Sequence, residues 1–228
     1  MKQETQILES WHLNADAWSQ TIAEKAIESR VLVTNDAILD AIRSLQPANF
    51  LDLGCGEGWL LRAVSAASPG TRVFGLDAIP ALVNRAAAQQ AEALVGAASY
   101  QDILSGYPSP LPNGFDLISF NFSLFGNELV EALLTHLGGW LAPGGKIVIQ
   151  TLHPYQAVDD HPYISQWLPG SWKGFSEAFQ QPAPWYFRTF ENWISLFTKT
   201  GYRLHELREP IHPHTQRPVS VIFVLSAA

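Results

Sequence analysis

The chain has 228 residues and a mass of 25.2 kDa, with a formal net charge of −7 and a pI near 5.4. This length fits one α/β domain and is too short for two full ones. The acidic balance argues against nonspecific nucleic-acid binding, and no Lys/Arg cluster is present. Cys55, the single cysteine, excludes an internal disulfide and fits a reducing compartment. Without a secretory signal or a long apolar run, we expect a soluble cytoplasmic protein with no nucleic-acid or membrane partner.

Residues 1–46 predict a helical cap that precedes the first strand. A first helix is expected to begin at Asn14 or Asp16, because either side chain can cap an N-terminus. A second helix is expected to begin within residues 34–36. It ends before Pro47, since proline disfavours helical backbone in the residue ahead of it.

A glycine turn follows the first predicted strand. Residues 49–53 form a short apolar run typical of a strand buried in a parallel sheet. Gly54, Gly56 and Gly58 come next at alternate positions, and a helical pattern resumes directly after them. This combination is the first turn of a nucleotide-binding βα unit, where a missing Cβ lets the backbone approach a ligand. Asp52 at the strand end would repel a pyrophosphate and suits a ligand with an ammonium group.

The string LDLGCGEG at residues 51–58 resembles motif I of the class I S-adenosylmethionine-dependent methyltransferases, whose usual form is (V/L)LDxGxGxG. In that family the turn packs against the methionine portion of the cofactor. The resemblance therefore implies that Asp52, Gly54, Cys55 and Gly56 contact S-adenosylmethionine.

A second acid lies at the end of the next predicted strand, residues 72–76. Asp77 can accept hydrogen bonds from both hydroxyls of a ribose, with Ala78 beside it at the cofactor. The alternative is that Asp77 caps the helix that begins near Pro80, and one residue can serve both purposes. Arg30, between the two N-terminal helices, is a candidate for the cofactor carboxylate, with a solvated arginine as the alternative.

A third acid follows the expected third strand. Residues 80–95 are alanine-rich and predict a helix, and residues 98–100 predict a short strand after it. The resemblance assigns Asp102 to the adenine amino group and Ile103 to the face of the adenine ring. The alternative is an ordinary turn aspartate.

The string FDLISFNFSLF at residues 115–125 resembles the family segment FDxVxxxxxxxH. It predicts a fourth strand over residues 115–120. Asn121 and Phe122 then lie at the carboxyl end of that strand, where open α/β sheets place their ligands.

The glycines of LAPGG, residues 141–145, predict a tight reversal from a helix into a fifth strand. A last helix is expected from Thr189 or Glu191 to Lys199. The resemblance implies a Rossmann-like, doubly wound, seven-stranded sheet with helices on both faces, mostly parallel with an antiparallel last strand. The cap then spans residues 1–46 and one methyltransferase domain spans residues 47–228.

Residues 153–190 form an aromatic-rich insertion that we interpret as a substrate lid. The alternative is a hydrophobic cluster against the sheet edge or a homodimer partner. Three of its side chains are catalytic candidates. His153 is a candidate general base or a turn residue, and Tyr186 is a candidate to orient the acceptor. Arg188 is a candidate to pair with an acidic substrate group or stack on Trp185, with an ion pair to a nearby glutamate as the alternative.

These features together predict an S-adenosylmethionine-dependent methyltransferase that acts on a small, partly apolar molecule. The alternatives are an NAD(P)-dependent oxidoreductase and a cofactor-binding protein without turnover. The glycine spacing and Asp52 argue against the oxidoreductase. We expect no metal, because His212 and His214 have no third ligand beside them in sequence.

Overall fold

The structure is a computed structural model that describes residues 2–90, 92–106, 111–112 and 114–228. The helices are α1 (Lys2–Ala23), α2 (Asn35–Leu45), α3 (Trp59–Ala67), α4 (Pro80–Gln89), α5 (Tyr100–Leu104), α6 (Glu128–Leu137), α7 (Pro154–Ala157) and α8 (Phe190–Lys199). The strands are β1 (Asn49–Leu53), β2 (Arg72–Asp77), β3 (Leu94–Ala97), β4 (Phe115–Asn121), β5 (Leu141–Leu152), β6 (Gln166–Leu168), β7 (Trp185–Phe187), β8 (Tyr202–Arg208) and β9 (Ser220–Ala227).

Seven of the strands form one sheet in the order β3-β2-β1-β4-β5-β9-β8. The first five are parallel to one another, and β9 runs antiparallel between β5 and β8. The predicted doubly wound sheet with an antiparallel last strand is therefore confirmed. β6 and β7 form a separate antiparallel pair within the aromatic-rich insertion. No helix of the described residues is long and apolar enough to cross a membrane.

Alternating side chains on the sheet bury both of its faces. Leu51 and Leu53 of β1 belong to the apolar cluster that includes α6 and α8. Phe50, which directly precedes Leu51, belongs to a second cluster with α2 and α3. Successive strand residues point to opposite faces, so helices are needed on both sides. Each fully buried side chain of this size stabilises the fold by about 1.5–3 kcal/mol.

Two predicted boundaries are wrong because tertiary contacts override local preference. α1 begins at Lys2, and Asn14 is a buried residue in its interior rather than a cap. The side chain of Asn14 instead donates to the carbonyl of Gln180, across 166 residues of sequence. The alanine-rich helix ends at Gln89, because residues 94–97 pair with β2 as β3. Sheet pairing therefore prevails over helix propensity there.

The LAPGG segment is a bulge inside β5 rather than a turn ahead of it. The pairing with β4 shifts from Phe115–Leu141 to Leu117–Lys146, so the residues between are looped out. A Cβ on Gly145 would lie 2.6 Å from the carbonyl oxygen of Phe115. The last helix begins as expected, since the side chain of Thr189 accepts from the Asn192 N–H at 3.1 Å.

The close packing of α3 on β2 predicts the effect of a single methyl group. A Cβ on Gly75 would lie 2.7 Å from Leu61 Cδ1 and 2.9 Å from Cys55 Sγ. We expect Gly75→Ala to lower the free energy of unfolding by about 1–3 kcal/mol, because the core must shift to admit the methyl group. Urea denaturation measures this change. Gly70→Ala is the control, since no atom lies within 4 Å of its added Cβ; equal stability of the two variants would contradict the prediction.

Candidate functional site

A cavity of about 440 Å³ lies at the carboxyl ends of the parallel strands. Its volume is in the range of small-molecule and cofactor sites. The lining comes from α1, the π-helical turn Arg30–Thr34, the glycine turn, the ends of β1, β2 and β4, and the insertion. Open α/β sheets bind ligands at this edge, so the fold itself predicts the location.

The glycine turn forms the floor of the cavity. Gly54 and Gly56 have φ values of +80° and +56°, a region that side chains other than glycine rarely occupy. A Cβ on Gly54 would collide with Ser123, whereas the nearest atom to a Cβ on Gly56 is Trp18 Nε1 at 3.8 Å. Gly54 therefore fits the turn against β4, and Gly56 leaves space open toward the cavity.

Asp77 joins the end of β2 to the glycine turn. One carboxylate oxygen accepts from the Gly56 N–H at 2.8 Å, and the other accepts from the Ile79 N–H at 2.9 Å. Burial raises the pKa of Asp77, and these two hydrogen bonds oppose the rise. Each oxygen retains a lone pair for a donor in the cavity. The N-cap of α4 is Ile79, so Asp77 is not the capping residue; it bonds the N–H of the N-cap, and its carboxylate lines the cavity.

Asp52 is the most deeply buried acid of the site, with 2% of its surface exposed. It accepts a hydrogen bond of 2.6 Å from Ser119 Oγ on the neighbouring strand. Burial raises the pKa of Asp52 to about 7; the charge of Asp77 adds to this rise, and the Ser119 hydrogen bond reduces it. Asp52 therefore titrates near neutral pH.

Arg30 is enclosed by aromatic rings. Its guanidinium lies 5.5 Å from the centre of the Trp18 ring and 4.8 Å from that of Trp59. Only 9% of its surface is exposed, so the solvated-arginine alternative is wrong. Burial lowers the pKa of Arg30 to about 10, with the charge of Glu57 opposing, and the group remains cationic at neutral pH.

Asn121 and Phe122 lie where the sequence predicts, at the end of β4 and in the cavity lining. Asn121 Oδ1 is buried and has no hydrogen-bond partner among the described residues. Phe122 has a φ of +53°, a strained conformation for an aromatic residue. An unpaired acceptor next to strained backbone is typical of a ligand site.

Comparison with known proteins identifies the family. A family model described as a methyltransferase domain matches residues 28–207. The chain belongs to this methyltransferase family. The resemblance to class I S-adenosylmethionine-dependent methyltransferases, found first in the glycine turn, is thereby confirmed, and the oxidoreductase alternative is disfavoured.

Individual relatives match about half of this methyltransferase chain. An uncharacterized methyltransferase of Mycobacterium tuberculosis is 33% identical over 117 residues, which is 51% of this chain and 56% of the relative. A trans-aconitate 2-methyltransferase of Methylobacterium nodulans is 35% identical over 105 residues, covering 46% and 38% of the two chains. The chain thus spans about half the length of the curated relatives it matches.

A solved structure shares the fold. It is an S-adenosylmethionine dependent methyltransferase from Mesorhizobium loti, with a TM-score of 0.60 and 21% identity. The match covers 82% of this chain and 95% of the other.

The structure does not bring Asp102 and Ile103 to the cavity. Asp102 is exposed and forms a capping box with Ser99: its N–H donates to Ser99 Oγ at 3.1 Å, and the Ser99 N–H donates to its carboxylate at 2.9 Å. Ile103 is fully buried in the core. The neighbours Ser99, Tyr100 and Gln101 line the cavity instead. The spacing of serine and aspartate is the sequence signal that predicts this cap.

His153 does not line the cavity either. Its ring is 4% exposed, packs edge-on against Phe190 at 5.2 Å, and bonds through Nε2 to a Glu209 carboxylate oxygen at 2.8 Å. It lies at the helix start before Pro154, and the carbonyl of His153 accepts from two N–H groups of α7. These contacts correct the general-base prediction and favour the alternative that His153 is a turn residue.

Tyr186 and Arg188 also lie outside the cavity lining. Arg188 is 3% exposed, stacks on the rings of Tyr186 and Trp193, and donates to the carbonyl oxygens of Gly126 and Asn127 at 2.8 and 3.1 Å. Arg188 therefore holds the backbone at Gly126 and Asn127 rather than a substrate. Among the described residues, its contacts include neither the predicted Trp185 stacking nor an ion pair with a glutamate. The ring of Tyr186 packs on Trp167 at 5.4 Å.

Sequence reasoning missed the contribution of α1. Trp11 and Trp18 both line the cavity, seven residues apart and thus on one helix face. Asn14 connects α1 to the insertion by two hydrogen bonds. Its side chain donates to the Gln180 carbonyl and accepts from the Gln180 N–H, both at 2.8 Å. Ser10 Oγ adds a bond of 2.7 Å to the Gln181 carbonyl. The seven-residue spacing of Trp11 and Trp18 is the sequence signal for a shared helix face, but only the fold shows the partner of that face.

The raised pKa of Asp52 predicts a pH-dependent stability. This carboxyl titrates near 3.8 in the unfolded chain and near 7 in the folded protein, so the folded state binds more protons between these values. The free energy of unfolding therefore falls as pH rises through this window. Asp52→Asn keeps an acceptor for Ser119 and does not titrate. We expect it to gain stability relative to the wild type as pH rises, on the order of a few kcal/mol.

Urea denaturation at several pH values within this window measures the difference. Asp160→Asn, at an exposed position, is the control. Parallel pH profiles for Asp52→Asn and the wild type would show that Asp52 titrates normally.

Proposed function

We propose that the chain is an S-adenosylmethionine-dependent methyltransferase that acts on a small, partly apolar molecule. The observation that carries this proposal is the meeting of Asp52, Asp77 and Asn121 with the glycine turn in one cavity. Membership of the methyltransferase family supports it.

The residues present fit this cofactor. The unpaired Asn121 Oδ1 offers an acceptor, and Asp77 retains lone pairs for ribose hydroxyls. Arg30 is a cation that lines the same cavity and suits the carboxylate of the methionine portion. Ser99, Tyr100 and Gln101 line the cavity where Asp102 does not, which supports them as the residues beside the adenine. S-adenosylmethionine supplies a methyl group activated by its sulfonium.

The chain's own contribution is then alignment and exclusion of water. α1 and the insertion cover the strand ends with aromatic rings. The described residues of the lining include four carboxylates and no histidine or lysine. Burial raises the pKa of Tyr100 well above its usual value, so its hydroxyl stays protonated and donates to the Ser123 carbonyl at 3.2 Å. Proton acceptance at the site therefore falls to carboxylates or solvent.

The division into a cap over residues 1–46 and a domain over residues 47–228 is part of this proposal. It is supported by the cap residues that line the cavity, among them Arg30. We also propose a cytoplasmic location and no nucleic-acid partner, supported by the free, buried Cys55 and the net charge of −7.

Calorimetric titration tests the cofactor. We expect S-adenosylhomocysteine to bind with a micromolar dissociation constant and NADH to show no heat of binding. Binding of NADH alone would overturn the proposal in favour of an oxidoreductase. Binding of neither would favour a protein without turnover.

Two aspartates provide a matched pair for the ribose role. We expect Asp77→Ala to weaken S-adenosylhomocysteine binding by roughly tenfold to a hundredfold, the loss of about 1.5–3 kcal/mol typical of a hydrogen bond to a charged group. Asp102→Ala is the control: it loses a capping bond and about 1 kcal/mol of stability, and it keeps its affinity. Calorimetry and urea denaturation separate the two effects. An affinity loss confined to Asp102→Ala would restore the original adenine assignment.

A further inference from the structure

One side of the cavity is an aromatic wall, which we define as Trp11, Trp18, Phe125 and Trp172. Trp11 is its centre: the Trp18 and Trp172 rings meet it edge-on at 5.2 and 5.9 Å, and the Phe125 ring lies 5.8 Å away. All four residues line the cavity. Such walls bind flat apolar groups, and their ring faces attract cations.

A carboxylate stands at the edge of the aromatic wall. Glu4, in the first turn of α1, lines the same cavity. One of its oxygens accepts from the Asn127 N–H at 3.1 Å, and the other lies directly against Gly126, the neighbour of Phe125. The Asn127 bond uses one lone pair, so the carboxylate retains acceptor capacity for a second donor.

The charges of the lining are unequal. Its acids are Glu4, Asp52, Glu57 and Asp77, of which Glu57 is ion-paired with Arg62 and Asp52 has a pKa raised to about 7; Arg30 is the one Lys or Arg among the described lining residues. Arg30 lies against the Trp18 and Trp59 rings, and Trp18 also contacts Trp11. In the proposed function, Arg30 pairs with the carboxylate of the cofactor.

Arg188 does not alter this balance. Burial lowers the pKa of Arg188 to about 10, and the charges of Tyr186, Glu4 and Glu131 oppose this fall; its guanidinium lies outside the lining, against the rings of Tyr186 and Trp193. Its N–H groups donate to Gly126 and Asn127. A negatively charged group at the aromatic wall would therefore lose its hydration without gaining a cation.

We infer that the end of the cavity formed by the aromatic wall and Glu4 recognises a protonated amine that carries an aromatic or other flat apolar group. The inference rests on the proposed function, since it names the class of molecule that receives the methyl group. The ring packs on Trp11 and its neighbours, and the ammonium group lies between ring faces and the Glu4 carboxylate. Anions, such as trans-aconitate, are disfavoured at this end by the same charges.

Three probes with one ring and different charge test this recognition: phenethylamine, phenethyl alcohol and hydrocinnamate. Calorimetry measures their binding to the protein with and without saturating S-adenosylhomocysteine. We expect phenethylamine to bind roughly threefold to thirtyfold more tightly than the alcohol, the range of a cation–π contact, and hydrocinnamate to bind most weakly. Hydrocinnamate equal to or tighter than phenethylamine, or no binding of the amine, would overturn the inference.

Two variants on α1 locate the effect. We expect Glu4→Gln to reduce the preference for phenethylamine over phenethyl alcohol by at least about threefold, while the amide oxygen still accepts from Asn127. Glu9→Gln, exposed on the same helix, is the control and keeps the preference. An unchanged preference in Glu4→Gln would overturn the role of Glu4. S-adenosylhomocysteine affinity is measured in parallel: its absence in the wild type contradicts the proposed function, whereas its presence without amine preference contradicts only this inference.

Discussion

The site depends on the pairing of β1 between two parallel neighbours. In this register Asp52 lies level with Gly75 on β2 and with Ser119 on β4. Gly75 has no side chain and so leaves room for Cys55. The hydroxyl of Ser119 donates a hydrogen bond to the buried Asp52 carboxylate. These contacts fix the end of β1, so the glycine turn that follows it forms the floor of the cavity. A shift of one residue would reverse the faces of every side chain on β1 and remove Asp52 from Ser119.

The same register places Asp77 one strand away, where it bonds the Gly56 N–H. Asp77 thus fixes the conformation of the glycine turn and also faces the proposed ribose position. The cover of the cavity is attached differently: α1 contacts the insertion through the Trp11–Trp172 rings and through three hydrogen bonds to residues 180–181. Each hydrogen bond is worth about 1 kcal/mol net, far less than the buried core beneath. Opening of this cover would therefore cost much less free energy than opening of the sheet.

Local patterns predicted the floor of the site, and distant contacts determined the rest. The glycine turn, Asp77 and Asn121 lie within single βα units, so their spacing alone located them. Asp102 was misassigned because a local competitor, the Ser99 cap, used its carboxylate. His153 and Arg188 were misassigned because their partners, Glu209 and the backbone at 126–127, lie 56 and about 61 residues away. The wall on α1 was missed for the same reason, since its closure involves residues 166 or more apart.

Arg30 and Glu4 contact different parts of the cavity lining. Arg30 keeps its charge at neutral pH despite burial, because its pKa falls only to about 10, and Trp18 and Trp59 lie against its guanidinium. Glu4 is held elsewhere in the lining, by the Asn127 N–H and against Gly126. Under the proposals above, Arg30 pairs with the cofactor carboxylate and Glu4 pairs with the cationic group of the second molecule. Two different molecules can then occupy one continuous cavity without exchanging places, which an in-line transfer between them requires.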